Sequence, residues 1–89
     1  MAPAHERSKP RPRKLSLPEQ REWDGIEERI LAAEEAAAAA QAAVSDPAVA
    51  SDAAALQERL AALETARAAV DALYARWGEL DARRRALGG

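Results

Sequence analysis

Two pairs of adjacent glutamates, Glu27-Glu28 and Glu34-Glu35, are the side chains of this sequence that come nearest to an acid–base site. A carboxyl group serves as a general acid or base when a pocket removes it from water and shifts its pKa. The sequence around these pairs favours a solvated helix face with ion pairs along it, and offers no such pocket. We therefore predict that the chain is not an enzyme.

Composition excludes several other chemistries. The chain has no cysteine and one histidine, His5, so it lacks the ligands of a structural zinc site, a thiol nucleophile and a His-centred triad. Neither of the glycine-rich phosphate-binding patterns, GxxxxGKS/T or GxGxxG, occurs in it. We predict no cofactor and no metal.

Basic residues are the remaining candidates for a binding site, and they form two groups. One group lies in the first 14 residues, and the other lies near the C-terminus, where Arg76 precedes a run of three arginines. If the two ends of the chain meet, they form one basic patch that can contact nucleic-acid phosphates. The alternative is that the C-terminal arginines complement a helix C-terminus and the first group belongs to a soluble linker. The residues predicted to bind nucleic acid are Arg11, Arg13, Lys14, Arg83, Arg84 and Arg85.

Two tryptophans could stack on nucleic-acid bases, but their spacing indicates another role. Trp23 and Trp77 both fall on positions that repeat with apolar residues at helical intervals. Residues at such positions face a helical partner, so we predict that both indoles belong to the core.

The composition favours helix and limits the size of any core. Of 89 residues 48% are apolar, yet 25 of them are alanines, which favour helix and bury little surface.

The net charge is divided unevenly along the chain. Five basic residues and one acidic residue, Glu6, give residues 1–14 a charge of +4, so residues 15–89 carry −6 and the whole chain carries −2. With three prolines and almost nothing apolar, residues 1–14 are predicted to be a disordered basic linker.

The elements that position these side chains are two helices. Ser16 and Glu19 form a capping-box pattern at the start of the first, which is predicted over about 17–44. Gly25 leaves room for a kink or break in it. A turn follows at about 45–52, where Pro47 ends the first pattern and Ser51 or Asp52 can cap the second helix, predicted over about 53–87.

Both helices have apolar or small residues at alternating spacings of three and four, which is the seam of a coiled coil. We predict that residues 15–89 form an all-α, antiparallel two-helix coiled-coil hairpin. In the expected register Ile26 faces Trp77 and Glu34 lies near Arg67. The first seam contains Trp23, Ile26, Ile30, Ala33, Ala37, Ala40 and Val44, and the second contains Leu56, Arg59, Leu63, Ala66, Val70, Leu73, Trp77, Leu80, Arg84 and Leu87.

Two runs of the sequence resemble a known family. Residues 13–23, RKLSLPEQREW, resemble the opening K-L-S-Y-K-E-Q-R-E-L of the C-terminal domain of Uup-type ABC-F ATPases. Residues 73–80, LYARWGEL, are similar to that domain's L-Y-x-R-W-E-E-L ending. The resemblance implies a helical domain that follows the ATP-binding cassettes of a cytoplasmic ATPase without membrane spans, which acts on ribosomes or DNA. The domain itself is associated with DNA binding.

The resemblance therefore favours a non-catalytic accessory domain that contacts DNA or ribosomal RNA, with ATP-binding cassettes upstream in the same protein. A structural or protein-binding coiled coil without nucleic-acid binding is the alternative, as a monomer or a weak dimer that associates through Leu31 and Leu60. Because the chain begins with Met1, an independent adaptor protein is a third interpretation. Phosphate binding weakens steeply with salt, whereas a packed helical interface does not, so salt separates the first two.

Overall fold

The computed structural model describes residues 14–88, and within that range it contains two long helices and one short 3₁₀ turn. Helix α1 spans Leu17–Val44, the 3₁₀ turn spans Pro47–Val49, and helix α2 spans Ala53–Gly88. The prediction of an all-α two-helix hairpin is confirmed. Of residues 1–14, which were predicted to be a disordered linker, all but Lys14 lie outside the described residues, and the candidate residues Arg11 and Arg13 are among them.

Helix α1 begins at the predicted capping box. The Ser16 hydroxyl accepts from the Glu19 amide over 3.3 Å, and the Ser16 amide donates to a Glu19 carboxylate oxygen over 2.9 Å. These bonds satisfy two backbone donors that a helix start would otherwise leave unpaired. The helix then continues through Gly25 without interruption, so the break considered there does not occur.

The connection between the helices is short and held by side-chain caps. A carboxylate oxygen of Asp46 accepts from the Ala48 amide over 3.0 Å, and Asp52 accepts in the same way from the Ala55 amide over 3.0 Å. Asp52 is therefore the residue that caps α2. Val49, 4% exposed, fills the space where the chain reverses direction.

The core is thin and lies mainly near the end of the hairpin opposite the turn. Its buried members there are Ile26, Ile30 and Leu80, and Trp23, Leu73 and Trp77 pack against them. Ile26 and Trp77, which face each other in the predicted register, therefore belong to one cluster, and Ile30 and Leu73 belong to it too. Nearer the turn, half-buried alanines of the α1 seam permit close packing of the two helices.

Candidate nucleic-acid interface

The first turn of α1 and the last turns of α2 meet at what we call the open end of the hairpin. Arg83 of α2 places its guanidinium Nε 2.5 Å from a carboxylate oxygen of Glu19, which is also the capping-box residue of α1. The hydrogen bonds from Ser16 lower the pKa of the Glu19 carboxyl most, and the Arg83 charge lowers that pKa further. This contact fixes the C-terminal arginines beside the start of α1. Lys14, which is exposed, precedes that start by three residues.

Arg84 and Arg85 share a single carboxylate. Asp81 accepts from Arg84 Nη2 over 3.1 Å, and its second carboxylate oxygen forms an ion pair with Arg85 Nε, also at 3.1 Å. The Asp81 side chain is mostly shielded from water by its neighbours. Arg84 also lies over the indole of Trp23, with its guanidinium carbon 4.8 Å from the ring centroid. A guanidinium in that position is attracted by the electron-rich face of the ring.

The positive charge of the open end is consequently smaller than the sequence indicates. Three guanidinium groups face two carboxylates, those of Glu19 and Asp81, so one positive charge remains and Lys14 adds a second. The spacing of Asp81 from Arg84 and Arg85, three and four residues, was the signal for this pairing. The cross-helix partner Glu19 could be found only from the register of the hairpin.

Arg76 forms an ion pair that joins the two helices. Its Nε and Nη2 donate to the two carboxylate oxygens of Glu22 over 2.6 and 2.8 Å, which is the paired geometry that suits a guanidinium and a carboxylate. Glu79 lies 3.7 Å from the same guanidinium. The hydrogen bond from Arg76 is the largest cause that lowers the pKa of the Glu22 carboxyl. Arg76 therefore joins α1 to α2.

The tryptophans occupy the core rather than an open stacking platform. The rings of Trp23 and Trp77 lie 5.8 Å apart between centroids at an interplanar angle of 25°, in a stacked arrangement. Both pack against the buried cluster of Ile26, Ile30 and Leu80. The prediction that they belong to the core is confirmed.

Two polar contacts across the helices differ from the predicted pairing of Glu34 with Arg67. Glu34 accepts from the Tyr74 hydroxyl over 2.9 Å, and Arg67 donates to the side-chain oxygen of Gln41 over 2.7 Å. Both residues line one shallow depression, but no ion pair joins them among the described residues. Each bonds to a residue about two helical turns beyond its predicted partner. Glu34 and Arg67 therefore lie near each other, as predicted, but they do not form an ion pair.

Comparison with known proteins gives one match. The sequence model of a protein family described as the ABC transporter C-terminal domain matches residues 14–82. The chain belongs to this family. The match confirms the resemblance inferred from the two sequence runs, and it places the chain among accessory domains rather than among ATP-binding cassettes. No match to the chain was found among curated proteins or among solved structures.

The limits of the family match divide the candidate residues. The matched segment contains Lys14, the capping box and both tryptophans, and it stops at residue 82. Arg83, Arg84 and Arg85 follow it directly, and Arg11 and Arg13 precede it. The part of the domain that matches the family is thus the hairpin as far as residue 82, and most of the candidate basic residues flank that part.

Two further observations bear on the chemistry of the domain. Neither helix described here is long and apolar enough to cross a bilayer. Within residues 14–88, no group of three histidine or carboxylate side chains is placed to hold a metal ion.

Proposed function

We propose that this domain contacts nucleic acid, DNA or ribosomal RNA, as the accessory domain of a cytoplasmic ABC-F type ATPase whose ATP-binding cassettes precede it. The observation that supports the proposal is the meeting of Arg83, Arg84 and Arg85 with the start of α1, where the basic residues 1–14 join the hairpin. The proposed contact residues are Arg11, Arg13, Lys14, Arg83, Arg84 and Arg85.

Charge favours this location over the rest of the hairpin. Residues 15–89 carry −6 in total, so most of their surface repels phosphate. The local excess of basic residues lies at the open end and in residues 1–14, which precede it in the sequence. Charge alone sets no base preference, so we expect weak, sequence-tolerant binding that depends strongly on salt.

The ion pairs of the open end are compatible with phosphate binding. The side chains of Arg83 and Arg85 are 55% and 73% exposed, whereas those of their partners Glu19 and Asp81 are 19% and 14% exposed. Each guanidinium therefore keeps donors open to solvent, and a phosphate can share it with the carboxylate.

The test compares two double variants of the full chain that lose the same charge. Arg83→Gln/Arg85→Gln removes two guanidinium groups from the open end, whereas Arg29→Gln/Arg67→Gln removes two exposed guanidinium groups from the body of the hairpin. Affinity for a labelled DNA duplex and for an RNA hairpin is measured by fluorescence anisotropy at several salt concentrations. The first variant should bind more weakly, with a salt dependence shallower by up to about two units of slope, and the second should stay near the parent.

Equal losses in the two variants would contradict the location at the open end. The alternative function, a structural or protein-binding hairpin, predicts no saturable binding of either nucleic acid at any salt concentration. One observation favours this alternative: Glu19 and Asp81 already match two of the three arginine charges at the open end.

A further inference from the structure

A groove runs between α1 and α2 on one side of the hairpin and continues toward the turn along the surface of α2. It consists of three adjoining concave stretches. The stretch nearest the open end shares Glu34 with the middle one, and the middle one shares Arg67 and Asp71 with the stretch nearest the turn. We call this surface the acidic groove; it is lined mainly by Glu27, Leu31, Glu34, Leu60, Glu64, Arg67, Asp71 and Tyr74.

Large apolar side chains are exposed along the acidic groove. Leu31 is 58% exposed, Tyr74 48% and Leu60 46%. Tyr74 and Leu60 are separated by 14 residues of α2, which is about 21 Å along a helix. The hydrogen bond from the Tyr74 hydroxyl to Glu34 holds the ring at the groove wall. Leu31 and Tyr74 therefore form an apolar pair at one end of the groove, and Leu60 lies at the other end. Exposed apolar side chains rimmed by charged ones are typical of a surface that packs against another element.

The charge of the groove indicates what kind of element that is. Four carboxylates line it, those of Glu27, Glu34, Glu64 and Asp71, against one guanidinium. That guanidinium, of Arg67, donates to Gln41. A second copy of the chain would bring an identical acidic groove, and the two would repel each other. A cationic partner would meet complementary charge along the whole groove.

We propose that the acidic groove docks a basic amphipathic helix of another protein, which lies between α1 and α2 near the open end and along α2 toward the turn, as a third helix. Its apolar residues recur at heptad spacing, so that one contacts Tyr74 and Leu31 and another, two heptads away, contacts Leu60. Lysine or arginine residues on both sides of this apolar row face Glu27, Glu34, Glu64 and Asp71. A helix of about 18 residues spans the distance. This surface is separate from the open end.

The experiment uses the full chain and three labelled peptides of about 18 residues. The first has leucines at heptad positions among lysines, the second replaces the lysines by glutamates, and the third replaces the leucines by serines. Fluorescence anisotropy should show saturable binding of the first peptide alone. Leu31→Gln/Leu60→Gln should weaken that binding by at least about tenfold. Leu17→Gln, which changes a leucine 63% exposed outside the groove, should leave it unchanged.

A second pair of variants tests the charge. Glu27→Lys reverses a charge that lines the groove, and Glu28→Lys reverses the neighbouring charge, which does not line it. Only Glu27→Lys should weaken binding of the basic leucine peptide. Far-UV circular dichroism establishes that each variant is as helical as the parent.

Four results would overturn the proposal. The basic leucine peptide could fail to bind, the serine peptide could bind as tightly, or Leu17→Gln could weaken binding as much as the groove variant. The fourth is a dimer in analytical ultracentrifugation that Leu31→Gln/Leu60→Gln converts to a monomer, because a second copy would then occupy the groove. Nucleic-acid affinity of Leu31→Gln/Leu60→Gln should equal that of the parent, which separates this surface from the open end.

Discussion

Arg59 of α2 donates a hydrogen bond from Nη1 to the backbone carbonyl oxygen of Ala43 in α1, over 2.7 Å. The last turn of α1 has no basic residue of its own, so the carbonyl groups at its end lack a cation from their own helix. The same Nη1 lies 3.3 Å from a carboxylate oxygen of Asp46 in the connection. The Ala48 amide and then Arg59 lower the pKa of that carboxyl. One side chain thus joins α1, the connection and α2.

We expect Arg59→Gln to lower the free energy of unfolding by about 1 kcal/mol, because it removes a charged donor from the Ala43 carbonyl group. Urea unfolding followed by far-UV circular dichroism measures the change. Arg67→Gln is the matched control, since the Arg67 guanidinium bonds to Gln41, an exposed side chain with other partners in water. Equal losses in the two variants would mean that charge, rather than this hydrogen bond, explains the effect.

The sequence predicted what depends on local pattern and missed what depends on the reach of long side chains. The capping box depends only on Ser16 and Glu19, and the seam depends only on the spacing of apolar residues, so the sequence alone predicted both. Arg59 was placed on the seam, but its partner is a carbonyl group on the other helix. Arg67 lines one depression with Glu34 but donates to Gln41, about two turns further along α1, and spacing cannot choose between them.

The same limit applies to the candidate interface. The hairpin topology was enough to bring Arg83, Arg84 and Arg85 to the start of α1. The extent to which Glu19 and Asp81 offset their charge follows from side-chain geometry. A charge count along the chain therefore overestimates the positive field at the open end.

Leu80→Ala should lower the free energy of unfolding by about 3 kcal/mol, since Leu80 is 1% exposed in the only cluster where several large side chains of the described residues meet. Leu60→Ala makes the same chemical change at a position 46% exposed and should cost less than about 1 kcal/mol. Both changes bring the same gain in helix propensity, so the difference between their urea midpoints reports burial. Equal midpoints would contradict the position assigned to the core.

The phenol of Tyr74, the one tyrosine of the chain, should titrate above its usual pKa of 10.0. The hydrogen bond to Glu34 raises this pKa most, followed by partial desolvation and the Glu34 charge. Because the pKa is higher in the folded state, this interaction stabilises the fold below the unfolded pKa. The stabilisation is lost as pH rises through the folded value.

Absorbance of the phenolate during an alkaline titration measures the pKa of Tyr74. Glu34→Gln should return it toward 10.0, the usual value. Glu35→Gln removes the same charge from the next residue, which is exposed and does not line the groove beside Tyr74, and should leave most of the increase in place. If both variants lowered the pKa equally, general electrostatics would explain the increase in place of the hydrogen bond.

Removal of residues 2–13 should weaken nucleic-acid binding without changing the stability of the hairpin. The deletion takes away four basic residues, Arg7, Lys9, Arg11 and Arg13, whereas every contact described for the hairpin lies within residues 14–88. If all four contact phosphates, the salt dependence becomes shallower by up to about four units of slope. Urea midpoints of the two proteins should coincide.

A full-length variant in which glutamine replaces those four residues separates charge from chain length, because it keeps the prolines and the length of the tail. It should bind nucleic acid as weakly as the deletion does. When this change is combined with Arg83→Gln/Arg85→Gln, the protein should lose most of the remaining affinity for nucleic acid. The basic residues of the tail precede the same end of the hairpin at which Arg83 and Arg85 lie. Binding that survives the combined change would move the contact surface to a face of the helices, where Arg21, Arg29 and Arg67 are the next candidates because their guanidinium groups are exposed.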